Sequence, residues 1–398
     1  MPTVNIRLNQ RVPDDLASEL MKRLFFVSSS IEEFKLFKED GFVDSVELTL
    51  SATDSGDLAE KINRMVAEQI LTQRPMPPRV VWESPVSETE FTDTFAELQA
   101  RGDVFVSGEG QVGFGEPLIS LFAFLDKRLR AIALSLDHAR EYQYPTLLPT
   151  SVLDKFGYFG SFPQFPMFVT RLHNDIDVYE RFVEQYKAEQ RLPDDLFAHC
   201  SNQDYCLPPT MCYHSFHQFQ GSRMAGDSVV TARGKAFRHE SRYHTSLERL
   251  WDFTIREIVF MGTPEFAAEC RNSVMRQTFA LMEELELVGR CEVANDHFFA
   301  NADTAGKIFS QRMMELKFEL LLPVASDRSI AIGSFNLHGH FFGESFDIQG
   351  PQGGPIASGC VGFGLERLVH AFLSQHGSDP AAWPAAVAQG IGTQCSTH

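Results

Sequence analysis

A basic segment at residues 231–249 is one of two places where side chains suited to chemistry cluster. It holds five Lys or Arg residues and two acidic ones, a net charge of +3 within a chain of net charge −18. Inside it, Phe237-Arg238-His239-Glu240 follows an alternating stretch typical of a strand and precedes a polar loop. A local excess of positive charge in an acidic chain indicates an anionic ligand, and a triphosphate is the simplest one.

The second place is a glycine-rich stretch that ends in an arginine, Gly362-Phe363-Gly364-Leu365-Glu366-Arg367. Glycines allow a ligand to approach the backbone, and a helix that begins near Gly364 would carry Arg367 in its first turn. A guanidinium there can bind phosphate oxygens in a bidentate manner, while the helix N-terminus adds positive potential. Taken alone, the stretch is equally compatible with an ordinary helix start and a surface arginine.

A third motif, Gly108-Glu109-Gly110-Gln111-Val112-Gly113, matches the GxGxxG pattern of dinucleotide-binding proteins. However, Glu109 would place a carboxylate beside the pyrophosphate, and Gly115 and Pro117 delay the next helix. No strand that ends in a ribose-binding acid follows about 20 residues later. We therefore interpret this stretch as a flexible loop that enters the main domain.

The elements that must position these motifs divide into two units. Residues 1–85 contain two alternating and two helical segments, and a proline-rich joint lies at 74–78. This pattern predicts a small N-terminal α/β accessory domain, compatible with a ferredoxin-like sandwich.

The second unit, residues 86–398, predicts an α+β fold. A long helix is expected at 118–143, mostly β structure at 209–261, a strand at 346–348, and a last helix that begins near Gly364. Strands outnumber helices in this second half, which favours an antiparallel sheet with helices packed on it.

Composition restricts the class of partner. A net charge of −18 disfavours a large nucleic-acid surface, which requires Lys and Arg to displace counterions. Neither a targeting segment nor an apolar run of about 18 residues is visible, so no membrane contact is expected. The seven cysteines are odd in number and unevenly spread, which favours a reducing cytoplasm over a disulfide framework.

The Arg238 and Arg367 motifs, in this order, resemble motifs 2 and 3 of class II aminoacyl-tRNA synthetases. Tyr142-Gln143-Tyr144-Pro145 resembles the end of motif 1, the dimer element of that class. Further segments narrow the resemblance to the zinc-containing, atypical seryl-tRNA synthetases and their truncated relatives, the amino acid:carrier-protein ligases. These segments are 158–164, Cys212-Tyr213-His214, Lys317-Phe318-Glu319 and 334–338. The resemblance covers roughly residues 105–375 and implies a class II catalytic domain, ATP as a substrate and a homodimer.

The resemblance places three zinc ligands in the chain. Cys212 lies on a strand before motif 2, Glu257 at the end of motif 2, and Cys360 just ahead of motif 3. Two thiolates and a carboxylate occupy three tetrahedral positions and leave the fourth open, where the α-amino group of a substrate can bind. Each cysteine taken alone is more simply a buried apolar residue.

A rival zinc knuckle is also conceivable from the spacing of neighbouring cysteines and histidines. Five residues separate Cys200 from Cys206 and Cys206 from Cys212. Zinc knuckles instead use the shorter CxxC spacing. The ligands of the rival knuckle would come from Cys200, Cys206, Cys212, His199, His214 and His217.

The resemblance also assigns roles in amino-acid activation. Arg238 would hold the α-phosphate of ATP and the carboxylate of the amino acid, and Arg367 would hold the γ-phosphate. Glu240 would meet the adenine amino group, and Arg249 would reach the phosphates. Arginines in these positions stabilise the charge of the transition state.

Magnesium ions would bridge the phosphates. Conventional seryl enzymes carry a magnesium-binding Glu at the position of Ala331, so Glu319 is the provisional substitute. Asp296 could hold the substrate ammonium or cap the core. Ser334 and Asn336 would line the amino-acid pocket, and a zinc-held amine favours a small substrate such as Gly, Ala or Ser.

The second half-reaction distinguishes the two subfamilies. Seryl-tRNA synthetases need a tRNA-binding domain, whereas the ligases transfer the aminoacyl group to the phosphopantetheine thiol of a carrier protein. Here the N-terminal unit is short and carries a net charge of −4. Carrier-protein transfer without tRNA is therefore the preferred prediction. An atypical seryl-tRNA synthetase and a non-catalytic amino-acid-binding paralogue stay open as alternatives.

Overall fold

The computed structural model describes residues 1–51, 56–73, 79–86, 89–239, 246–294 and 314–395. The described strands, in chain order, are β1 Thr3–Pro13, β2 Ile31–Glu39, β3 Phe42–Leu50, β4 Val80–Glu83, β5 Val104–Gly108, β6 Gln111–Phe114, β7 Ala139–Glu141, β8 Leu148–Pro149, β9 Met167–Leu172, β10 Cys200–Leu207, β11 Ser228–Phe237, β12 Asp252–Gly262, β13 Arg290–Val293, β14 Lys317–Ala325, β15 Arg328–Gly339 and β16 Ala357–Gly364.

The described α-helices, in chain order, are α1 Ala17–Leu24, α2 Leu58–Met65, α3 Phe95–Arg101, α4 Leu118–Leu134, α5 Thr150–Asp154, α6 Tyr158–Ser161, α7 Ile176–Glu189, α8 Cys212–Gln218, α9 Pro264–Glu284, α10 Phe341–Ser345, α11 Leu365–His376 and α12 Ala385–Cys395. Within the described chain, no helix is both long and apolar enough to cross a membrane.

The first three strands form an antiparallel sheet in the order β1-β3-β2, with α1 and α2 packed on one face. This is the order that the first three strands of a ferredoxin-like unit take. β4 instead pairs with β13 of the large sheet, so sheet pairing favours a domain division just before β4. The division at residue 85 stays a prediction.

Within the described residues, the large sheet has eight strands in the order β4-β13-β14-β15-β16-β12-β11-β7. Its pairs are antiparallel except the pair of β11 with β7. The α+β prediction is therefore confirmed, with the central strands β12 and β16 buried on both faces. Burial on both faces explains why β16 consists of apolar residues, glycine and one serine. β12 is mostly apolar as well, but it also carries the buried charged residues Arg256 and Glu257.

Each face of the large sheet packs on its own core. Helices α4, α9 and α11 contribute to one core with Ile258 and Phe260 of β12. The next residues along the strand, Val259 and Met261, belong to a second core with α8 and α10. Alternate side chains of a strand point to opposite faces, and burying each large apolar side chain contributes roughly 1.5–3 kcal/mol.

A buried arginine fixes β12 against the neighbouring elements. Arg256 is 2% exposed, and its Nε and Nη2 donate to the two carboxylate oxygens of Asp126 in α4 at 2.8 and 3.0 Å. Its Nη1 donates to Glu141 of β7 at 2.8 Å. A buried charge is tolerated because these two carboxylates satisfy it, so α4 and β7 set the position of the strand that carries Glu257.

Four expectations about secondary structure were wrong. The helix that begins at Leu118 ends at Leu134 rather than near residue 143. The GxGxxG stretch is the β5–β6 hairpin rather than a flexible loop. Its tip, Gly110, has a φ of +63° and lies against Trp251, where a Cβ would lie 2.5 Å from the indole ring.

The other two errors concern short elements. Cys212 is the first residue of α8 rather than part of a strand. Residues 346–348 follow the short helix α10 and form no strand, although Phe346 and Ile348 are both buried. Their alternating burial comes from tertiary packing rather than from pairing in a sheet. The helix expected near Gly364 is confirmed, with Gly364 at the N-cap of α11.

Candidate metal centre and nucleotide site

Cys212, Glu257 and Cys360 lie together, although 45 and 103 residues separate them in sequence. One donor atom from each residue lies within 4.8 Å of those of the other two. The three side chains are 4%, 3% and 5% exposed. We call them the donor group.

Strand register explains two of the three positions. Glu257 of β12 lies opposite Gly362 of β16, and Val259 lies opposite Cys360. Residues 257 and 259 share one face of β12 because side chains alternate, so Glu257 and Cys360 come from adjacent strands on the same face. α8 packs against β12 and brings Cys212, its first residue, to this face.

Two neighbours define the space around the Glu257 carboxylate. The Thr210 hydroxyl donates a hydrogen bond to its Oε2. Opposite it, Gly362 has no side chain, and a Cβ there would lie 3.2 Å from Oε1. The carboxylate is therefore held from one side and unobstructed on the other.

All three donors resist ionisation in the absence of a cation. Burial raises the pKa of Cys212 and of Glu257 above their ordinary values. The contact with Cys212 together with burial raises the pKa of Cys360 well above its ordinary value. The cause is general, because buried anions that crowd together are unfavourable unless a cation compensates them.

The donor group fits a zinc ion. Thiolates and carboxylates are zinc ligands, and three of them leave one position of a tetrahedron for another ligand. Among the described residues, Cys212, Glu257 and Cys360 are the Cys, His, Asp or Glu side chains that come close enough together to share one metal ion. The cysteines and histidines of the rival zinc knuckle are all described, and they do not come together as a metal-binding group. Cys206 instead donates to the Leu148 carbonyl.

Alternate residues of β15 line the same face next to the donor group. Asn336 lies opposite Cys360 in the register, and Ser334 lies opposite Gly362. The Asn336 amide nitrogen lies 3.2 Å from Ser334 Oγ and 3.7 Å from Cys360 Sγ. The structure thus places both predicted substrate contacts beside the donor group.

Arg238 lies just beyond the end of β11, half-buried. Its Nε donates to the Pro209 carbonyl at 2.9 Å, and its guanidinium lies 5.5 Å from the centre of the Phe253 ring. Burial raises the pKa of Cys212 and Glu257, and the charge of Arg238 partly opposes that rise. Arg238 therefore lies near the donor group, because it binds the carbonyl of Pro209 while the next residue, Thr210, donates to Glu257.

Arg367 lies in the first turn of α11, as expected. Its Nε donates to the Glu248 carbonyl at 2.8 Å, and its Nη1 lies 3.4 Å from the Ala331 carbonyl. Arg249 is half-buried and follows Glu248 directly. Arg367 thus contacts the backbone of the residue that precedes Arg249, while Glu240 and Asp296 lie outside the described residues.

Glu319 occupies the next strand of the same face. It lies opposite Ser334 in the β14–β15 register, and its carboxylate forms an ion pair with Lys317 Nζ at 3.1 Å. The provisional magnesium ligand thus already has a cationic partner, so its role as a ligand stays a prediction.

Three residues of this face were missed as site residues: Thr210, His338 and Gly362. His338 Nε2 lies 3.6 Å from Cys360 Sγ. Strand alternation could have found it, because Ser334, Asn336 and His338 fall on one face of β15. Thr210 carries no sequence signal of this kind.

Comparison with known proteins finds relatives along most of the chain, although no family model matches it. An amino acid–[acyl-carrier-protein] ligase from Bradyrhizobium diazoefficiens is 33% identical over 280 residues, which is 69% of this chain and 84% of that protein. A type-2 serine–tRNA ligase from Methanopyrus kandleri is 28% identical over 338 residues, which is 79% of this chain and 63% of that protein.

A solved structure shows the same fold. The M. kandleri SerRS, crystallised in complex with A. aeolicus tRNASec, superimposes with a TM-score of 0.72 at 23% identity and covers 99% of this chain and 78% of its own. The class II resemblance inferred from the Arg238 and Arg367 motifs is confirmed by these relatives. The chain belongs to the amino acid–[acyl-carrier-protein] ligases, a family with a catalytic fold of the class II synthetase type.

Proposed function

We propose that this protein activates a small amino acid with ATP and transfers it to the phosphopantetheine thiol of a carrier protein. In the first step, a carboxylate oxygen of the amino acid attacks the α-phosphorus of ATP. The bond to the β-phosphate oxygen breaks, pyrophosphate leaves, and aminoacyl-AMP forms. In the second step, the thiol sulfur attacks the carbonyl carbon, AMP leaves, and the thiol proton passes to solvent.

The observation that carries this proposal is the proximity of the donor group to Arg238. An amino acid presents an amine and a carboxylate on one carbon, so its recognition needs two different groups a short distance apart. A zinc ion held by Cys212, Glu257 and Cys360 would supply an open coordination position for the amine. Arg238 would neutralise the carboxylate and the α-phosphate that it attacks.

The remaining polar side chains would select the substrate and hold ATP. Ser334 and Asn336 lie beside the donor group and would contact the amino acid, whereas Arg367 and Arg249 would bind the phosphates. Magnesium would neutralise the β- and γ-phosphates. A zinc-held amine would place the side chain of the amino acid beside Ser334 and Asn336, and we therefore propose a small substrate such as Gly, Ala or Ser.

Pyrophosphate exchange tests the first step. The purified protein is incubated with ATP, labelled pyrophosphate and one amino acid at a time, and label in ATP is measured. We expect exchange with one or a few small amino acids, because a single methylene changes discrimination only about 10- to 200-fold. If no amino acid supports exchange, activation is excluded and a non-catalytic amino-acid-binding protein becomes the better explanation.

An observation favours a second candidate, a tRNA-charging enzyme. The match to the type-2 serine–tRNA ligase extends over 79% of the chain, against 69% for the carrier-protein ligase. Labelled amino acid, ATP and either holo-carrier protein or total tRNA separate the two candidates. Label on the carrier protein supports our proposal, and label on tRNA replaces it with the second candidate.

We further propose that the protein is a homodimer through the motif 1 element. In the part of the chain that the structure describes, β7 is the edge strand of the large sheet, and α4 beside it exposes Ile119 and Leu134. Exposed apolar residues next to a sheet edge favour association. Light scattering during size-exclusion chromatography measures the mass directly, and a monomer at micromolar concentration would contradict this proposal.

A further inference from the structure

We infer that His338 and Ser358 position the Cys360 thiolate and stabilise its charge without binding the metal themselves. This inference rests on the proposed zinc site and assigns a role to two residues beside it. His338 Nε2 lies 3.6 Å from Cys360 Sγ. On the other side of the ring, His338 Nδ1 lies 3.1 Å from Ser358 Oγ.

The chemistry of the three groups fixes the direction of the hydrogen bonds. A zinc-bound thiolate only accepts, so Nε2 of His338 must carry the proton. Nδ1 of the neutral ring is then an acceptor, and the Ser358 hydroxyl donates to it. Ser358 is fully buried and lies two residues before Cys360 on β16. The serine thus selects the tautomer that can donate to the thiolate.

Aromatic packing holds the imidazole in this orientation. The Phe342 ring meets it edge-on at 4.8 Å between centroids, and the Phe216 ring does so at 6.0 Å. These two phenylalanines stack on each other at 4.2 Å. The imidazole therefore lies between an apolar wall and the thiolate.

A histidine beside a thiolate could instead be the fourth metal ligand, because 3.6 Å also fits two ligands of one zinc ion. One observation and one consequence of the proposed function favour the hydrogen bond. Among the described residues, the side chains close enough together to share a metal ion are those of Cys212, Glu257 and Cys360, and His338 is not one of them. A fourth protein ligand would also close the position that the amine of the substrate needs.

Cys360 thereby receives two N–H donors, because the Asn336 amide nitrogen also lies 3.7 Å from its sulfur. Donors at a thiolate withdraw charge from the metal–sulfur bond, so the metal becomes a stronger Lewis acid toward an amine. Partners of this kind orient metal ligands, and their loss typically weakens metal affinity about 10- to 100-fold.

The test uses cobalt(II) and zinc in the full-length protein. Two variants are compared. His338→Phe removes the N–H that donates to the Cys360 sulfur, and Ser358→Ala removes the hydroxyl that selects the tautomer of His338. The matched control is His340→Gln, because His340 is exposed on the same segment and contacts the Pro355 carbonyl instead. Zinc affinity is measured by chelator competition, and the sulfur-to-cobalt charge-transfer band by absorption.

We expect His338→Phe to lower zinc affinity about 10- to 100-fold and to shift the charge-transfer band to lower energy, because an unshielded thiolate gives up charge more easily. Ser358→Ala should shift the band in the same direction by less, and His340→Gln should leave affinity and band unchanged. An unchanged band and affinity in both His338→Phe and Ser358→Ala would overturn the inference.

Two further outcomes distinguish a failure of this inference from a failure of the proposed zinc site. X-ray absorption of the zinc-loaded wild-type protein that shows imidazole scattering would make His338 a ligand and overturn the inference. A wild-type protein that binds neither zinc nor cobalt would instead contradict the proposed zinc site. Should His338→Phe fail to fold, the band shift of Ser358→Ala decides the question.

Discussion

Glu257 and Gly362 lie opposite each other on adjacent strands, and a Cβ at position 362 would lie 3.2 Å from Oε1 of Glu257. That distance is shorter than an ordinary van der Waals contact. The same Cβ would lie 3.0 Å from Ile255 Cδ1. The absence of a side chain at 362 thus keeps the Oε1 side of the Glu257 carboxylate open.

We therefore expect Gly362→Ala to displace the carboxylate and weaken zinc binding. The loss should be about 10- to 100-fold, as for groups that orient a metal ligand, while the fold is retained. Chelator competition measures it, together with the melting temperature. Gly226→Ala is the control, because a Cβ there meets no atom within 4 Å. Equal zinc affinity in the two variants would show that Glu257 tolerates the added methyl group.

Loss of one thiolate should separate metal binding from folding. We expect Cys212→Ser to lose zinc and to abolish amino-acid-dependent pyrophosphate exchange, while ATP still binds and the circular dichroism spectrum stays that of the wild type. The reason is that Cys212 contributes a donor at the start of a short helix, whereas two large apolar cores hold the sheet. Metal analysis measures the zinc content, and isothermal titration calorimetry measures the binding of ATP.

Cys270→Ser is the matched control for that variant, because Cys270 is 6% exposed in α9 and lies outside the donor group. It should keep its zinc and its exchange activity. A Cys212→Ser protein that unfolds would instead give the metal a structural role.

Each of the two motif arginines should contribute to the rate of activation. We expect Arg238→Ala and Arg367→Ala to lower pyrophosphate exchange about 100- to 1,000-fold, the size typical of one transition-state donor. Exchange at varied ATP and amino-acid concentrations then assigns the roles. Arg238→Ala should raise the KM for the amino acid, and Arg367→Ala the KM for ATP.

Arg276→Ala is the control for both, because Arg276 is an exposed residue of α9 that pairs with Glu269. It should exchange like the wild type. An Arg367→Ala protein with an unchanged rate and KM for ATP would remove the phosphate role from that residue.

Stability at acidic pH should depend on His376, the last residue of α11. Its Nε2 donates to the Leu285 carbonyl at 3.0 Å, and burial lowers its pKa below the ordinary value of 6.5. Below pH 6.5 the unfolded chain therefore takes up a proton more readily than the folded protein. This linkage lowers the free energy of unfolding as the pH falls from 6.5 toward the folded pKa.

His376→Gln removes the titrating group but can keep a donor to Leu285. We expect the free energy of unfolding of this variant to fall less between pH 7.5 and pH 5 than that of the wild type, measured by urea denaturation. His173→Gln, at an exposed histidine, should show the wild-type decrease. An identical pH dependence in the wild type and His376→Gln would contradict the linkage.

Much of the fold and part of the site followed from sequence. The β pattern of residues 209–261 predicted the region of β11 and β12, and the order of the Arg238 and Arg367 motifs indicated the class II type. The predicted helix 118–143 was too long because apolar residues continue past Leu134, and nothing in their spacing marks the turn into β7. Likewise, Phe346 and Ile348 are both buried because they pack in the same core as the aromatic side chains of α8 and α10.

By itself, the sequence predicted the α+β class, the position of both motif arginines and, through a family resemblance, the three donors. Only the tertiary structure decided that Cys212, Glu257 and Cys360 meet, because β12, β16 and α8 are joined by sheet register and packing rather than by chain proximity. It also brought in Thr210, His338 and Gly362. Their roles depend on distances across strands, which no local pattern of residues encodes.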